Sequence, residues 1–137
     1  MFSEPEIAKK ALPIVLTDEF DIRQSLDILS GVAQTPRTRD LAYDFVKQNW
    51  DALIAKLPTD FGALLPYVAG GYCDDAHRQD AAGFFEGRPT KYSGGPRNLA
   101  QMLEGIDLCV AFKKAQQPSV IEFLKGCGAG QNPAATR

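Results

Sequence analysis

The chain has 137 residues, with fifteen Lys and Arg against seventeen Asp and Glu for a formal net charge of −2. That balance, with no local run of basic residues, excludes an electrostatic footprint for nucleic acid, and 45% hydrophobic residues exclude disorder. A single histidine excludes a zinc site built within this chain on two or three histidines.

Three cysteines are an odd number, so a complete disulfide framework is excluded and the compartment stays open. The longest apolar stretches, around Ala11–Leu16 and Leu64–Gly70, are far shorter than a membrane span, and a proline interrupts each. The opening MFSEPEIAKK lacks the continuous apolar stretch of a signal peptide.

Taken in order, the chain reads as helix after helix. Ser3-Glu4-Pro5-Glu6 has the S-x-x-E form of a capping box, with proline in the first turn. It opens a short helix over Ile7, Ala8 and Ala11, which Pro13 kinks or ends. Asp21 starts a second helix carrying Ile22, Leu26, Leu29 and Val32, closed by Gly31 and the Gln34-Thr35-Pro36 stretch. Thr35-Pro36 then reads as the cap and first position of the longest amphipathic run, from Leu41 through Phe45, Trp50 and Ile54 to Leu57. Pro58 stops it.

Thr59 or Asp60 begins a short helix with Phe61, Leu64, Leu65 and Val68, stopped by Gly70-Gly71. Asp74-Asp75 cap the next helix, which ends with Phe84-Phe85 before Gly87-Arg88-Pro89. After an aperiodic loop, Leu99, Met102, Leu103, Ile106 and Val110 mark a long helix, and Pro118 opens a last short one with Val120, Ile121, Phe123 and Leu124. Residues 126–137 are small and polar, so a flexible tail is expected after a single domain over 1–125. The prediction is an all-α fold of six to seven helices. Short links allow either a closed bundle or a stack of helical hairpins.

The candidate chemistry is thin. Cys73 and His77 lie four residues apart, a metal-like spacing, but an Asp74 cap leaves Cys73 outside the helix and no second Cys/His pair completes four ligands. Cys109 falls on the apolar side of its helix and reads as a small buried hydrophobe, while Cys127 reads as exposed; a Cys73–Cys127 bridge is conceivable. No general base accompanies any of these sulfurs. Gly70-Gly71 and Gly94-Gly95 lack the spacing of phosphate loops and read as helix stops and hinges. Arg37, Arg39, Arg88, Lys91 and Arg97 cluster in two loops, where solvated turns compete with an anion-binding reading. Trp50 and Phe84-Phe85 read as core.

The order of elements resembles a known family. Asp21-Ile22-Arg23-Gln24-Ser25-Leu26, Gly31-Val32-Ala33 and Thr35-Pro36-Arg37-Thr38-Arg39 precede Leu41-Ala42-Tyr43-Asp44-Phe45-Val46-Lys47-Gln48-Asn49-Trp50. Gly83-Phe84-Phe85 and a helix from Arg97 through Glu104 to Ile106 follow. This succession is similar to the C-terminal helical domain of M1-family zinc aminopeptidases, the group with the puromycin-sensitive and endoplasmic-reticulum enzymes. The resemblance runs from about Pro5 to Lys125 and rests on packing residues. The family's H-E-x-x-H motif, ligand glutamate and G-A-M-E-N loop do not occur in this sequence.

The resemblance implies a short, irregular HEAT-like right-handed solenoid of antiparallel hairpins. It also implies an accessory domain that caps the chamber of a zinc metallo-aminopeptidase and limits or positions peptide substrates. Catalysis and zinc would then belong to the parent's catalytic domain, which this domain would contact. No residue here is assigned a catalytic, cofactor-binding or metal-binding role, and Arg37, Arg39 and Arg97 are the candidates for cavity contacts. A dimer through an exposed face of the N-terminal segment Phe2–Leu16 is a further expectation. The alternative is a freestanding helical-repeat scaffold for a protein partner, and neither reading involves nucleic acid or membrane.

Overall fold

The computed structural model describes residues 3–58 and 60–128. Among these, every regular element is helical: α1 (Pro5–Ala11), α2 (Ile22–Ala33), α3 (Arg39–Gln48), α4 (Trp50–Lys56), α5 (Asp75–Phe85) and α6 (Gly95–Gly128). Tighter 3₁₀ segments span Leu12–Leu16, Phe61–Ala69 and Pro89–Lys91. No described helix is long and apolar enough to cross a membrane.

Local chemistry accounts for most boundaries. Asp21 and Asp74 cap α2 and α5, accepting from the backbone N–H of Arg23 and of His77, each at 2.9 Å. Pro13 tightens the end of α1 into a 3₁₀ turn. Gly87 and Gly94 bracket the loop before α6 with φ of 71° and 76°, a conformation that side-chain-bearing residues adopt only under strain.

Several expectations are corrected. No capping box forms at the N-terminus: Glu4 takes the cap position, which leaves Ser3 outside the helix, and Glu6 instead pairs with Lys9 at 2.9 Å. Thr35 does not cap α3, because its hydroxyl donates back to the Gly31 carbonyl at 3.1 Å. Thr38 precedes the helix instead, and its buried hydroxyl donates to Val32 O at 2.9 Å. α2 also continues through Gly31 to Ala33.

The long amphipathic run is two helices, broken at Asn49 (φ −117°, ψ 21°), whose side-chain amide donates to the Phe45 carbonyl at 2.9 Å. Pro118, in contrast, breaks nothing. It sits inside α6 where every neighbour is exposed, so water can serve the Lys114 carbonyl that its missing N–H leaves unbonded. Residues 126–128 of the expected tail are helical, since α6 runs to Gly128. Residues 129–137, Phe2 and the proposed helix start at Thr59 lie outside the described residues.

The Phe61–Ala69 segment is the hub of the packing. It touches α2, α3, α5, α6 and the last 3₁₀ turn, while α2 packs on α3 and α5 on α6. One core results, with Val15, Val32, Val46, Leu53, Phe85 and Ile106 fully buried. The fold is all-α, as the periodicity requires. α6 docks through Met102, Ile106 and Val110, and beyond Val110 it leaves the core, with residues 111–127 exposed.

Candidate functional site

α3 places Asp40, Tyr43, Asp44 and Lys47 at helical spacing along one side, facing His77 and Asp80 of α5 across a cleft of about 410 Å³. Tyr72, in the turn before α5, closes one end. Its hydroxyl donates to Asp40 Oδ1 at 2.6 Å, and Tyr43 donates to Asp80 Oδ2 at 2.7 Å. Lys47 Nζ donates to the same Asp80 oxygen at 2.7 Å. Tyr43 and Tyr72 meet edge to face, with ring centres 5.6 Å apart.

These contacts set the protonation of the cleft. Burial, followed by the hydrogen bonds to Asp40 and Asp80, pushes both phenols well above the ordinary tyrosine range. Lys47 and the Tyr43 hydroxyl hold the Asp80 carboxyl below its usual range. Asp74 is lowered chiefly by the backbone N–H of His77. A phenol held protonated against a carboxylate acts here as a clasp between α3 and its neighbours.

His77 is similarly committed. Its Nδ1 lies 2.7 Å from Asp74 Oδ2, and its ring stacks on Tyr72 at 3.8 Å with a 6° tilt. The metal-like spacing to Cys73 is explained otherwise: Cys73 is bonded to Cys109 of α6, with the Cα atoms 5.3 Å apart. This corrects two expectations. Cys109 is exposed and bridged, not a buried hydrophobe, and Cys73 does not pair with Cys127, which is a free exposed thiol. The pairing follows from the docking of α5 on α6, where Arg78 grips Asp107 with two bonds of 2.9 and 3.0 Å. No group of three or more His, Cys, Asp or Glu that could hold a metal ion occurs among the described residues.

The candidate arginines separate. Arg39 is a clasp: its Nη1 donates to the Gly71 carbonyl, and its guanidinium lies 5.8 Å from the Tyr72 ring centre. Its buried Nε has no hydrogen-bond partner among the described residues. Arg37 and Arg97 are exposed and line none of the three clefts described here. Arg88 and Lys91 do come together, on the rim of a cleft of about 730 Å³ at the Asn49 break, beside Trp50 and Tyr92. There Arg88 stacks 4.2 Å above Phe84 and reaches the Phe84 carbonyl. Trp50 packs on Phe84 and Phe85 at 5.8 and 5.9 Å, as a core aromatic would.

A third groove of about 310 Å³ runs between α2 and the Phe61–Ala69 segment, lined by Leu26, Phe61, Leu64 and Tyr67. The surface therefore offers an acidic clasped cleft, a mixed-charge aromatic cleft and an apolar groove. Such a set can hold and position a partner.

A sequence model of the ERAP1-like C-terminal domain matches residues 1–108. The chain belongs to that family, the C-terminal domains of M1-family aminopeptidases.

Proposed function

We propose that this domain caps the active-site chamber of a zinc-dependent aminopeptidase and limits or positions the peptides that enter it. The observation that carries this reading is the family match over residues 1–108. In this reading zinc is held by the catalytic domain of the parent enzyme, since the one histidine here is tied to Asp74 and stacked on Tyr72. The domain's contribution is exclusion and orientation, a role that needs a rigid wall with polar clefts and no titrating nucleophile. A right-handed stack of hairpins extending from α1 is part of the same proposal.

The test has two parts. The 137-residue chain is assayed on alanine and leucine chromogenic amides while its zinc content is measured. No turnover and no stoichiometric zinc is the expected result, and metal-dependent turnover that copurifies with the chain overturns the reading. The parent enzyme is then assayed without the segment equivalent to residues 1–108. Turnover of amino-acid amides should persist while discrimination among peptide lengths collapses; unchanged length discrimination overturns it.

The alternative, a freestanding scaffold for a protein partner, draws its support from the exposed apolar residues of α6. The second part of the test separates the two readings, because a freestanding scaffold also gives no turnover and no zinc in the first.

A further inference from the structure

α6 is held unevenly along its length. From Gly95 to Ile106 its anchors are buried or directional. Leu99, Met102, Leu103 and Ile106 face the core, the Asn98 amide donates to the Ala63 carbonyl at 3.0 Å, and Gln101 accepts from the Tyr67 hydroxyl at 3.1 Å. Past Ile106, Val110 is the one buried side chain among the described residues, and residues 111–127 are exposed. The polar ties of this outer stretch to α5 are two ion pairs between exposed or half-exposed groups, Arg78 with Asp107 and Lys114 with Asp75, for which water competes. Gly105 falls at the boundary between the two stretches. It is the weakest helix former short of proline, and a Cβ there would meet nothing within 4 Å.

The Cys73–Cys109 bridge is therefore the strongest restraint on the outer part of α6, and its two ends are anchored differently. Cys73 lies in a turn that is fixed without it: the Gly71 carbonyl accepts from Arg39, the Tyr72 hydroxyl donates to Asp40, and Asp74 caps α5. Cys109 lies on the weakly held stretch. It is exposed whereas Cys73 is half-buried, so a thiol in solution meets Cys109 first. Asp75 and Asp107, each two residues from a bridged cysteine, are paired with Lys114 and Arg78, and Asp74 is bound to His77. These pairings lessen the negative charge that an approaching thiolate encounters.

We propose that Cys73–Cys109 is a redox-operated latch, which a dithiol reductant opens in the folded protein to free α6 beyond Gly105 while the core stays packed. One thiolate of the reductant attacks Cys109 Sγ, the bond between the two Sγ atoms breaks, and the Cys73 thiolate leaves and takes up a proton. The second thiolate of the reductant attacks the reductant sulfur now joined to Cys109, and the Cys109 thiolate leaves and is protonated in turn. The reductant ends as a disulfide and both cysteines as thiols, a transfer of two electrons to the protein. The turn at Cys73 keeps its place, and the outer part of α6, left with Val110 and two solvated ion pairs, hinges at Gly105.

The chain carries its own reporters for a test. Trp50 is its one tryptophan and packs on Phe84 and Phe85, while Cys127, near the far end of α6, is the free thiol. A fluorescent acceptor is attached to Cys127 of the bridged 137-residue chain, and time-resolved energy transfer from Trp50 reports where α6 points. Dithiothreitol is then added without denaturant, and mass spectrometry confirms two newly alkylatable thiols. The distance distribution should widen at least about twofold while the near-ultraviolet circular dichroism of the core aromatics is retained. The bridge should open at a rate proportional to dithiothreitol concentration. Gly105→Ala should lower the bent fraction of the reduced chain by about three- to fivefold.

An unchanged distribution after full reduction overturns the proposal. Loss of the near-ultraviolet signal overturns it as well, because the bridge is then a staple of the whole fold. A reduction rate independent of dithiothreitol concentration does the same, since opening then waits on global unfolding. An equal bent fraction in Gly105→Ala removes the hinge and with it the latch.

Discussion

The Tyr43 hydroxyl and the Lys47 ammonium converge on one oxygen of Asp80, each at 2.7 Å, and so close the α3–α5 seam from two positions one helical turn apart. A single carboxylate serves as acceptor for both, which makes Asp80 the common point of the cleft.

Tyr43→Phe should lower stability by about 1 kcal/mol, because a charge-assisted bond at a half-exposed acceptor is lost while the buried ring is kept. Asp80→Ala should cost more, since it also strands the buried phenol and releases Lys47. Urea denaturation of the two variants gives the order directly.

The same seam fixes the response to pH. Asp80 and Asp74 titrate lower in the folded state than the ordinary carboxyl at about 3.9. Their contribution is therefore complete above that value and is lost as pH falls through the lower folded values. Tyr43 and Tyr72 are shifted upward, so their contribution is complete below the ordinary phenol value of about 10 and is lost as pH climbs beyond it. Melting temperatures should form a plateau between these limits. Asp80→Asn should flatten the acid limb, and Tyr43→Phe the alkaline limb; an unchanged acid limb in Asp80→Asn refutes the assignment.

Cys73 and Cys109 are 36 residues apart in sequence, and closing a loop of that length confines the unfolded chain. Cys109→Ser should destabilise by about 3–4 kcal/mol by the loop-entropy relation. Peptide mapping without reduction should recover the Cys73–Cys109 pair, with Cys127 alone open to alkylation. A map that joins Cys127 to either residue contradicts this arrangement.

Two glycines of α6 should respond oppositely to the same change. A Cβ at Gly95 would lie 1.9 Å from the Pro89 carbonyl oxygen, a backbone atom that cannot swing aside. At Gly105 a Cβ meets nothing within 4 Å. Gly95→Ala should cost roughly 2 kcal/mol or more, and Gly105→Ala should stabilise by about 0.5–1 kcal/mol. Thermal denaturation of both variants provides the comparison.

The all-α class, the Asp21 and Asp74 caps and the apolar stripe of α6 up to Val110 were legible because each rests on local spacing. The break at Asn49 was not, because the apolar period continues across it, and only the side-chain bond to Phe45 O distinguishes a bend from a turn of helix. Pro118 misled in the opposite direction: its usual penalty depends on burial of the freed carbonyl, which sequence does not show. The Cys73–Cys109 bond depends on which helices become neighbours, and three cysteines admit three pairings. The clasped cleft did have a signal in the polar i, i+3, i+4 and i+7 positions of α3, but its partners on α5 come from tertiary packing. Loop position alone does not separate a clasp such as Arg39 from an exposed side chain such as Arg37, because the clasp depends on Gly71 being brought alongside.

The disulfide also encircles the exposed loop between α5 and α6, where Lys91 offers a protease a cleavable bond. A cut there severs the backbone but not the molecule. The two pieces remain one covalent object, held in place by the bridge and by the grip of Arg78 on Asp107. A nicked domain of this kind migrates as one band on a non-reducing gel and as two after thiol treatment. Limited proteolysis would thus leave the core intact while removing the continuity of the loop.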